Sequence, residues 1–467
     1  MQYNLSIAGK DYQKLQKHLF PGDNKEAIAV ALCGRFTSKE QIKLLIHEVI
    51  PIPYAECTTR EDNLLSWPTG YIQEYIEKAN KYGFSLLKIH SHPGGGKYFS
   101  EQDDRSDGDL FPSLFGWIDE AEVHSSCVML PSGEIFGRVF KEDNIQQRLN
   151  KITVVGDVIQ VWDNDSNSLV GKDFDIRNVQ AFGEGTVNHL KKMSIAVVGC
   201  SGTGSIVTEQ LARLGVGHLL VIDPDIVEEK NLNRILNSTL ADAKNKLTKV
   251  EMTKRSIERI GIGTVVETID QDIYSDLNIV RAIANADVIF GCVDSVDARH
   301  LLNAISSFYL LPYFDIGVSL KADGTGGVEH ICGTANYIQP RGSSLQSRGL
   351  FTHEDLRSAL SSRFDPEYFE ERKKEKYIRD VQVDSPAVIS VNMMASAMVV
   401  NEFLSKIHGF RQEDSGNYSL MRTDVLNGFM QFENNGEPDL YLQKFCGRGD
   451  NIAVPLNMHE FENNTNQ

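Results

Sequence analysis

No stretch of this 467-residue chain stays apolar for the roughly 18 residues that a membrane-spanning helix needs. Membrane insertion is therefore not expected. Cysteine is sparse as well: the 7 present, at 33, 57, 127, 200, 292, 332 and 446, are odd in number and scattered, which excludes a disulfide framework. The first twenty residues lack the basic start and apolar stretch of a signal peptide, so a reduced, cytoplasmic setting is expected. Positive charge is in deficit, with 47 lysines and arginines against 64 aspartates and glutamates. A net charge of −17 argues against general affinity for nucleic acid or anionic membrane. Internal repeats and low-complexity tracts are missing too. What is present is ordinary globular material, 41% apolar and 24% charged, long enough for two or three domains.

The chain changes character along its length. Up to about residue 150, strand-like runs such as AIAVALCG (27–34), IKLLIHEVIPIP (42–53), FSLLKIH (84–90) and GEIFGRVF (133–140) alternate with helical patterns at Asp11–Phe20 and Tyr71–Tyr82. A linker strand is expected over 151–168, ending in the polar WDNDSNS. From about 190, SIAVVG, HLLVIDPD, TVVETID, ADVIFGCVD and LPYFDIGV alternate with helical stretches. That alternation predicts a mostly parallel sheet with helices on its faces. A charged segment near 353–380 precedes an apolar helix over 387–404.

Chemistry concentrates first in HSHPGGGKYFSEQDD (90–104). His90 and His92 stand two apart at a strand end, so both imidazoles project from one face. Asp103 follows eleven residues after His92, on a loop able to fold back. Two histidines, a carboxylate and an open position make a catalytic zinc site, in which the metal activates water and polarises a carbonyl. Ser100, three residues before Asp103, would share its side of a helical turn and could donate to a developing oxyanion. A bare His-x-His would favour the plainer reading, closing a strand with the aspartates capping a helix. Four suitable residues at one spacing point to metal. The string resembles that of the JAB/MPN-type zinc isopeptidases, which remove ubiquitin-like tags, and the resemblance covers roughly the first 145 residues. It implies a glutamate general base on an early strand. Glu26 is the candidate, eight residues before Gly34 and one further than the usual family spacing. One residue along a strand reverses the face. Either a bulge intervenes, or the base lies elsewhere, with Glu48 as the fallback.

The second constellation begins where SIAVVG runs into GCSGTGSIVTEQL. A glycine-rich turn opening a helix cradles phosphates with backbone N–H groups. Asp223, ending the next strand, sits where a carboxylate grips ribose hydroxyls. To this point a dinucleotide dehydrogenase fits equally well. DPDIVEEKNLNRIL (223–236), LTKVEM (247–252) and GCVDSVDAR (291–299) then resemble, in order and spacing, the ThiF/MoeB/ubiquitin-activating family. The resemblance implies a Rossmann-like doubly wound domain that adenylates the C-terminal glycine of a ubiquitin-like protein with ATP and Mg2+. Carried over, Gly199, Gly202 and Gly204 form the phosphate turn, and Asp223 with Asp225 faces the ribose. Asn231, Arg234 and Lys249 surround the triphosphate, and Asp294 binds magnesium. Arg177, six residues before Gly183, matches an arginine that reaches the ATP of an opposite subunit, which implies a homodimer through this domain. The charges have an independent logic: a carboxylate attacking the α-phosphate joins two anions, whose charge must be neutralised. Ser201 replaces one family glycine, and Asp297 and Arg299 are candidates for an ion pair across a loop.

Relatives of that family carry CxxC pairs for a structural zinc. Here the corresponding stretch reads PRGSSLQSRGL, with Ser344 and Ser347 at those positions, and no cysteine occurs between 333 and 445. Serine is a poor zinc ligand. The usual thioester cysteine is missing with it. Three acyl acceptors stay open: a partner's nucleophile, Cys332 or Cys446 brought in by motion, or Ser344 or Ser347 as an ester. A serine would need an activating base, and none is evident. The expectation is an α/β chain: a JAB/MPN-type domain over 1–150, a linker, and an adenylation domain with a C-terminal extension over 169–467. It would trim or remove a ubiquitin-like protein with Zn2+ and activate it with ATP and Mg2+, in a bacterial modification system with a conjugating-enzyme-like partner. Alternatives are activation of a sulfur-carrier protein, or a scaffold with an inactive peptidase half.

Overall fold

The apolar runs form strands and the glycine-rich stretches between them form turns, in a computed structural model that describes residues 1–143, 145–164, 167–366, 369, 388–452 and 454. The chain divides into two compact units. Among the described residues no helix is long and apolar enough to cross a membrane.

The first unit takes in Met1–Asn167, Ser307–Leu310 and a late stretch starting at Tyr441. Its nine-stranded sheet runs, edge to edge, Ile159–Asp163, Lys151–Val155, Gln2–Ala8, Gln41–Pro51, Ile28–Thr37, Ser85–Ser91, His124–Met129, Ile135–Phe140 and Gln146–Arg148. Alternation along Ile28–Thr37 shows why both faces are covered. Ala29, Ala31 and Cys33 pack in one cluster with Leu15 and Leu19 of the helix Gly9–Leu19. Ile28, Val30 and Leu32 pack in another with Ile76, Ala79, Leu110 and Phe111 of the helices Gln73–Tyr82 and Glu101–Phe115. Residues 151–163, expected as a linker strand, are two strands of this sheet. Lys151–Val155 lies parallel to Gln2–Ala8, with Asn4 opposite Lys151, and buries Ile152 and Val154. The late stretch joins the sheet by backbone contact: the Gly34 amide donates to the Gly447 carbonyl at 3.2 Å, and a Cβ at Gly34 would stand 2.2 Å from that oxygen. Only glycine fits there.

The second unit is built on an eight-stranded sheet in the order Val265–Ile269, His218–Ile222, Ser194–Val198, Val288–Gly291, Tyr313–Ala322, Val328–Ile338, Leu420–Asp424 and Phe429–Glu433. The first five are mutually parallel, and the last three add antiparallel pairing. Chain order reverses at Ser194–Val198, which has His218–Ile222 on one side and Val288–Gly291 on the other. Ligands of open α/β sheets bind at such a reversal, beyond the carboxyl ends of the strands. The late apolar helix is Ile389–His408, whose Ala395, Val399 and Phe403 are buried core. Of the charged segment, His353–Phe364 is a helix capped by Thr352, and most of residues 365–387 lie outside the described residues.

Candidate active sites

The strand Ser85–Ser91 delivers His90 and His92 side by side. Ile28 pairs with His90 across the antiparallel ladder. The same register continues past the strand end: the Ser91 amide donates to the Ala27 carbonyl at 3.0 Å, and the Ala27 amide to Ser91 Oγ at 2.9 Å. Residues opposite one another in such a ladder share a face, so Glu26 stands opposite His92, on the side of both imidazoles. Its count to Gly34 does not decide this, because pairing from Ile28 to Cys33 with Ser85–His90 is unbroken. The irregularity lies on the other edge, where Leu32 pairs with Glu48 but Cys33 with Ile46, leaving His47 as the extra residue. A bulge exists, then, in the neighbouring strand rather than in the Glu26 segment. Glu26 is 8% exposed, and burial pushes its carboxyl up to about 7, with His92 pulling it down and Asp103 pushing it up. Glu48 is engaged elsewhere, in an ion pair with Lys78.

Asp103 sits in the first turn of the helix Glu101–Phe115. Ser100 is its N-cap: Ser100 N and Oγ each donate to Asp103 Oδ2 at 2.7 Å, and Oγ accepts from the Asp103 amide at 3.1 Å. Capping and metal binding are thus compatible here, because Oδ2 takes the cap's hydrogen bonds while Oδ1 is turned to His90. Asp103 Oδ1 is 2.9 Å from His90 Nε2, Oδ2 is 3.5 Å from His92 Nε2, and the two Nε2 atoms are 3.1 Å apart. Ligands at about 2.05 Å from a tetrahedral zinc are separated by about 3.3 Å. These separations bracket that spacing, with the carboxylate turning one oxygen toward each histidine, and the three side chains form a group of the metal-holding kind. His92 Nδ1 donates to the Gly96 carbonyl at 2.8 Å, which fixes the tautomer that leaves Nε2 free. Burial pushes the Asp103 carboxyl up, but the two imidazoles and Ser100 hold it well below the usual carboxylate range.

In the second unit Gly199 follows the strand Ser194–Val198 with φ +93°, and a Cβ there would lie 2.4 Å from the Cys292 carbonyl. Gly204 approaches closer still, since its Cβ would fall 1.7 Å from the Gly199 oxygen. Gly202 opens the helix Gly202–Arg213 with Asn392 and Arg234 against it. Ser201 has φ −85°, a value open to any residue. Asp223 is 5% exposed and accepts from the Cys200 amide at 2.7 Å. Burial pushes its carboxyl up, against the pull of Lys249. Lys249, also 5% exposed, lies 2.7 Å from Asp225 and 3.8 Å from Asp223. Asn231 is buried with Oδ1 accepting from the Glu228 amide, and Arg234 is half-buried with Nη1 donating to the Lys230 carbonyl. Asp294 is exposed on the loop after Val288–Gly291, close enough for its charge to act on Arg299. Asp297 and Arg299 each form an ion pair, though not with one another. Asp297 binds Arg363 at 2.5 Å, and Arg299 binds the fully buried Asp315 at 3.1 Å. Arg177 is exposed, with Nη1 donating to Gln180 Oε1 at 3.2 Å.

Ser344 and Ser347 form a clip. The Ser344 amide donates to Ser347 Oγ at 2.9 Å, the Ser347 amide to Ser344 Oγ at 3.0 Å, and Ser344 Oγ to Asp439 Oδ2 at 2.6 Å. Ser344 is 2% exposed, while Ser347 is exposed. Sequence reading missed Asp439, which lies 95 residues away and carries no motif. Cys332 is buried with its thiol pushed up by that burial, and Cys446 is fully buried, its carbonyl accepting from His47 Nδ1 at 2.7 Å.

The model of the ThiF family matches residues 175–438, and that of prokaryotic homologs of the JAB domain matches residues 10–140. Ubiquitin-like modifier-activating enzyme 5 of Drosophila ananassae is 30% identical over 162 residues, 32% of this chain and 38% of that protein. The enzyme of the same name from Culex quinquefasciatus is also 30% identical over 162 residues, with the same coverage of 32% and 38%. The chain thus spans well under half the length of these curated relatives. Among solved structures, E. coli MccB is similar at 17% identity and a TM-score of 0.45, covering 62% of this chain and 75% of that one.

Proposed function

This chain belongs to the ThiF family through residues 175–438 and carries a prokaryotic JAB-homolog domain over residues 10–140, and we propose that both act on a ubiquitin-like protein. The JAB-homolog domain hydrolyses the bond beyond the tag's terminal glycine, and the ThiF domain adenylates the glycine so exposed. The observation that carries this reading is a complete His90–His92–Asp103 triangle with Glu26 beside it, in a chain whose other half belongs to an adenylating family.

In the hydrolytic step His90, His92 and Asp103 would hold Zn2+, which when bound supplies Lewis acidity and acidifies a water. Glu26 takes the proton of the attacking water and passes it to the leaving amine. Ser100 holds Asp103 in place through its amide and hydroxyl, and the oxyanion role requires that hydroxyl to turn its one proton away from Asp103 while the amide keeps the carboxylate. In the adenylation step the glycine carboxylate attacks the α-phosphate of ATP and pyrophosphate leaves. The amides around Gly199, Gly202 and Gly204, at the N-terminus of the helix Gly202–Arg213, receive phosphate oxygens. Lys249 and Arg234 offset the charge of the two anions, Asp223 and Asp225 face the ribose, Asn231 lines the triphosphate, and Asp294 would hold Mg2+. Exposed Arg177 supports a homodimer in which it reaches a second copy.

Direct transfer of the activated glycine to a conjugating-enzyme-like partner is supported by the burial of Cys332, Cys446 and Ser344. A serine ester is the second reading. It is favoured by Asp439, whose carboxylate stands 2.6 Å from Ser344 Oγ and would take its proton. The test is ATP–pyrophosphate exchange with a ubiquitin-like protein ending in a free glycine. Exchange is expected only when that protein and Mg2+ are both present. Exchange that proceeds equally without the protein would overturn the adenylation reading.

A further inference from the structure

A second ion pair lies one step along the same strand and helix as the His90–Asp103 contact, and the proposed chemistry makes no use of it. Lys88 is 2% exposed and Asp107 is 0% exposed, and the two pair directly. Arg138, 8% exposed, closes the group from the strand Ile135–Phe140. Its Nη2 lies 2.7 Å from Asp107 and its Nη1 2.6 Å from Asp104, and its guanidinium covers the Phe99 ring at 3.9 Å. Two cations meet two carboxylates, so the group is neutral. Buried charges are costly to desolvate, and packed apolar side chains of similar volume often hold a core equally well. Adhesion alone does not explain this cluster.

Its spacing does. Lys88 precedes His90 by two residues on the strand Ser85–Ser91, and Asp107 follows Asp103 by four on the helix Glu101–Phe115. Two strand residues advance about 6.6 Å, and four helical residues about 6 Å. The pairs are therefore two rungs between one strand and one helix: His90 with Asp103, and Lys88 with Asp107. Across the sheet Ser126 pairs with Lys88 and Arg138 with Ser126, so Arg138 completes a row that holds Asp107 from its other side. A sliding helix would break both bonds to Asp107 at once.

We propose that Asp107, held between Lys88 and Arg138, is the positioning residue of the metal site. It sets the axial register of the helix so that Asp103 meets His90 and His92. The inference rests on reading those three residues as zinc ligands. It concerns their placement, and no step of the reaction passes through Asp107.

The test uses the full chain and reads metal binding rather than turnover. Asp107→Leu alone leaves Lys88 buried without a partner and risks misfolding, so it is combined with Lys88→Met, which leaves Arg138 on Asp104. Asp107→Glu keeps the charge but displaces the register. Zn2+ affinity is measured by chelator competition, and ligand geometry by the visible spectrum of the Co2+-loaded protein. Melting temperature and pyrophosphate exchange report on the rest of the fold. The double variant and Asp107→Glu are both expected to bind Zn2+ about 10- to 100-fold more weakly than wild type, with altered Co2+ bands, while melting and exchange stay close to wild type. Wild-type affinity and an unchanged Co2+ spectrum in the double variant would overturn the inference alone. Failure of the wild-type chain to bind Zn2+ would remove the metal reading and this inference with it.

Discussion

Replacing Glu26 by glutamine is expected to lower the proposed hydrolytic kcat/KM by about 10^2- to 10^4-fold, the range for loss of a general base, while Zn2+ affinity changes little. The side chains of Glu26 and glutamine have nearly the same shape, and the three ligand atoms do not belong to it. Buried to 8% exposure opposite His92, the Glu26 carboxyl sits at about 7 in the metal-free protein. A base with that value is half-charged near neutrality. Activity in the wild type therefore falls as pH drops through this range, and bound Zn2+ moves the fall to lower pH. The variant shows a low rate without that acid limb. Stability moves the other way. Because the folded-state value is raised from 4.5, the native chain holds a proton that the unfolded chain has lost between about 4.5 and 7. Stability thus declines as pH rises through that window, and the whole penalty is present above it. Glutamine removes the penalty. Metal-free Glu26→Gln should be more stable than metal-free wild type at pH 8 by about 3 kcal/mol, and close to it at pH 4. Urea unfolding at the two pH values checks the sign. Equal kcat/KM in variant and wild type would return the base to another residue.

Lys249→Ala is expected to lower pyrophosphate exchange by about 10^3-fold or more. Lys249 is 5% exposed and paired with Asp225 at 2.7 Å, so its ammonium is already desolvated and held beside the phosphate turn. A charge fixed in a buried site acts on an incoming triphosphate with little reorganisation. Removing it also leaves Asp223, whose carboxyl burial already pushes up, without the cation that draws it down. Ribose binding should weaken together with the chemistry, so KM for ATP rises while kcat falls. The proposed hydrolysis by the first unit of the same variant should remain at the wild-type rate. Loss of both activities would indicate a general folding defect, and full exchange would place the phosphate-binding cation elsewhere.

Patterns that depend on local period were legible in the sequence. The two-residue spacing of His90 and His92 sets their shared face, the Ser100–Asp103 interval is one helical turn, and the glycine turn declares itself at the end of an apolar strand. The mostly parallel sheet of the second unit follows from strand–helix alternation. What was not legible depends on partners distant in the chain. The face of Glu26 comes from pairing with a strand more than sixty residues away, so counting to Gly34 asked the wrong neighbour. The strand over residues 151–155 is legible locally, but its place in the first unit's sheet needs Asn4 opposite Lys151. Ser344 looks like an unactivated hydroxyl until Asp439 closes on it, and the Lys88–Asp107 rung needs the helix docked on the sheet before its spacing has meaning.

Intact-mass analysis tests the paired activities most directly. A ubiquitin-like protein bearing a short C-terminal extension, encoded beside this chain, is incubated with the zinc-loaded chain, with and without ATP and Mg2+, beside a His90→Ala sample. The account predicts loss of the extension without ATP in the wild type and not in the variant. With ATP, the trimmed protein should then gain the mass of AMP, or that of an enzyme adduct removed by mild base but not by thiol if a serine accepts it. An extension that stays intact in the wild type, while a pre-trimmed protein is adenylated normally, would contradict the coupling of the two units on one substrate.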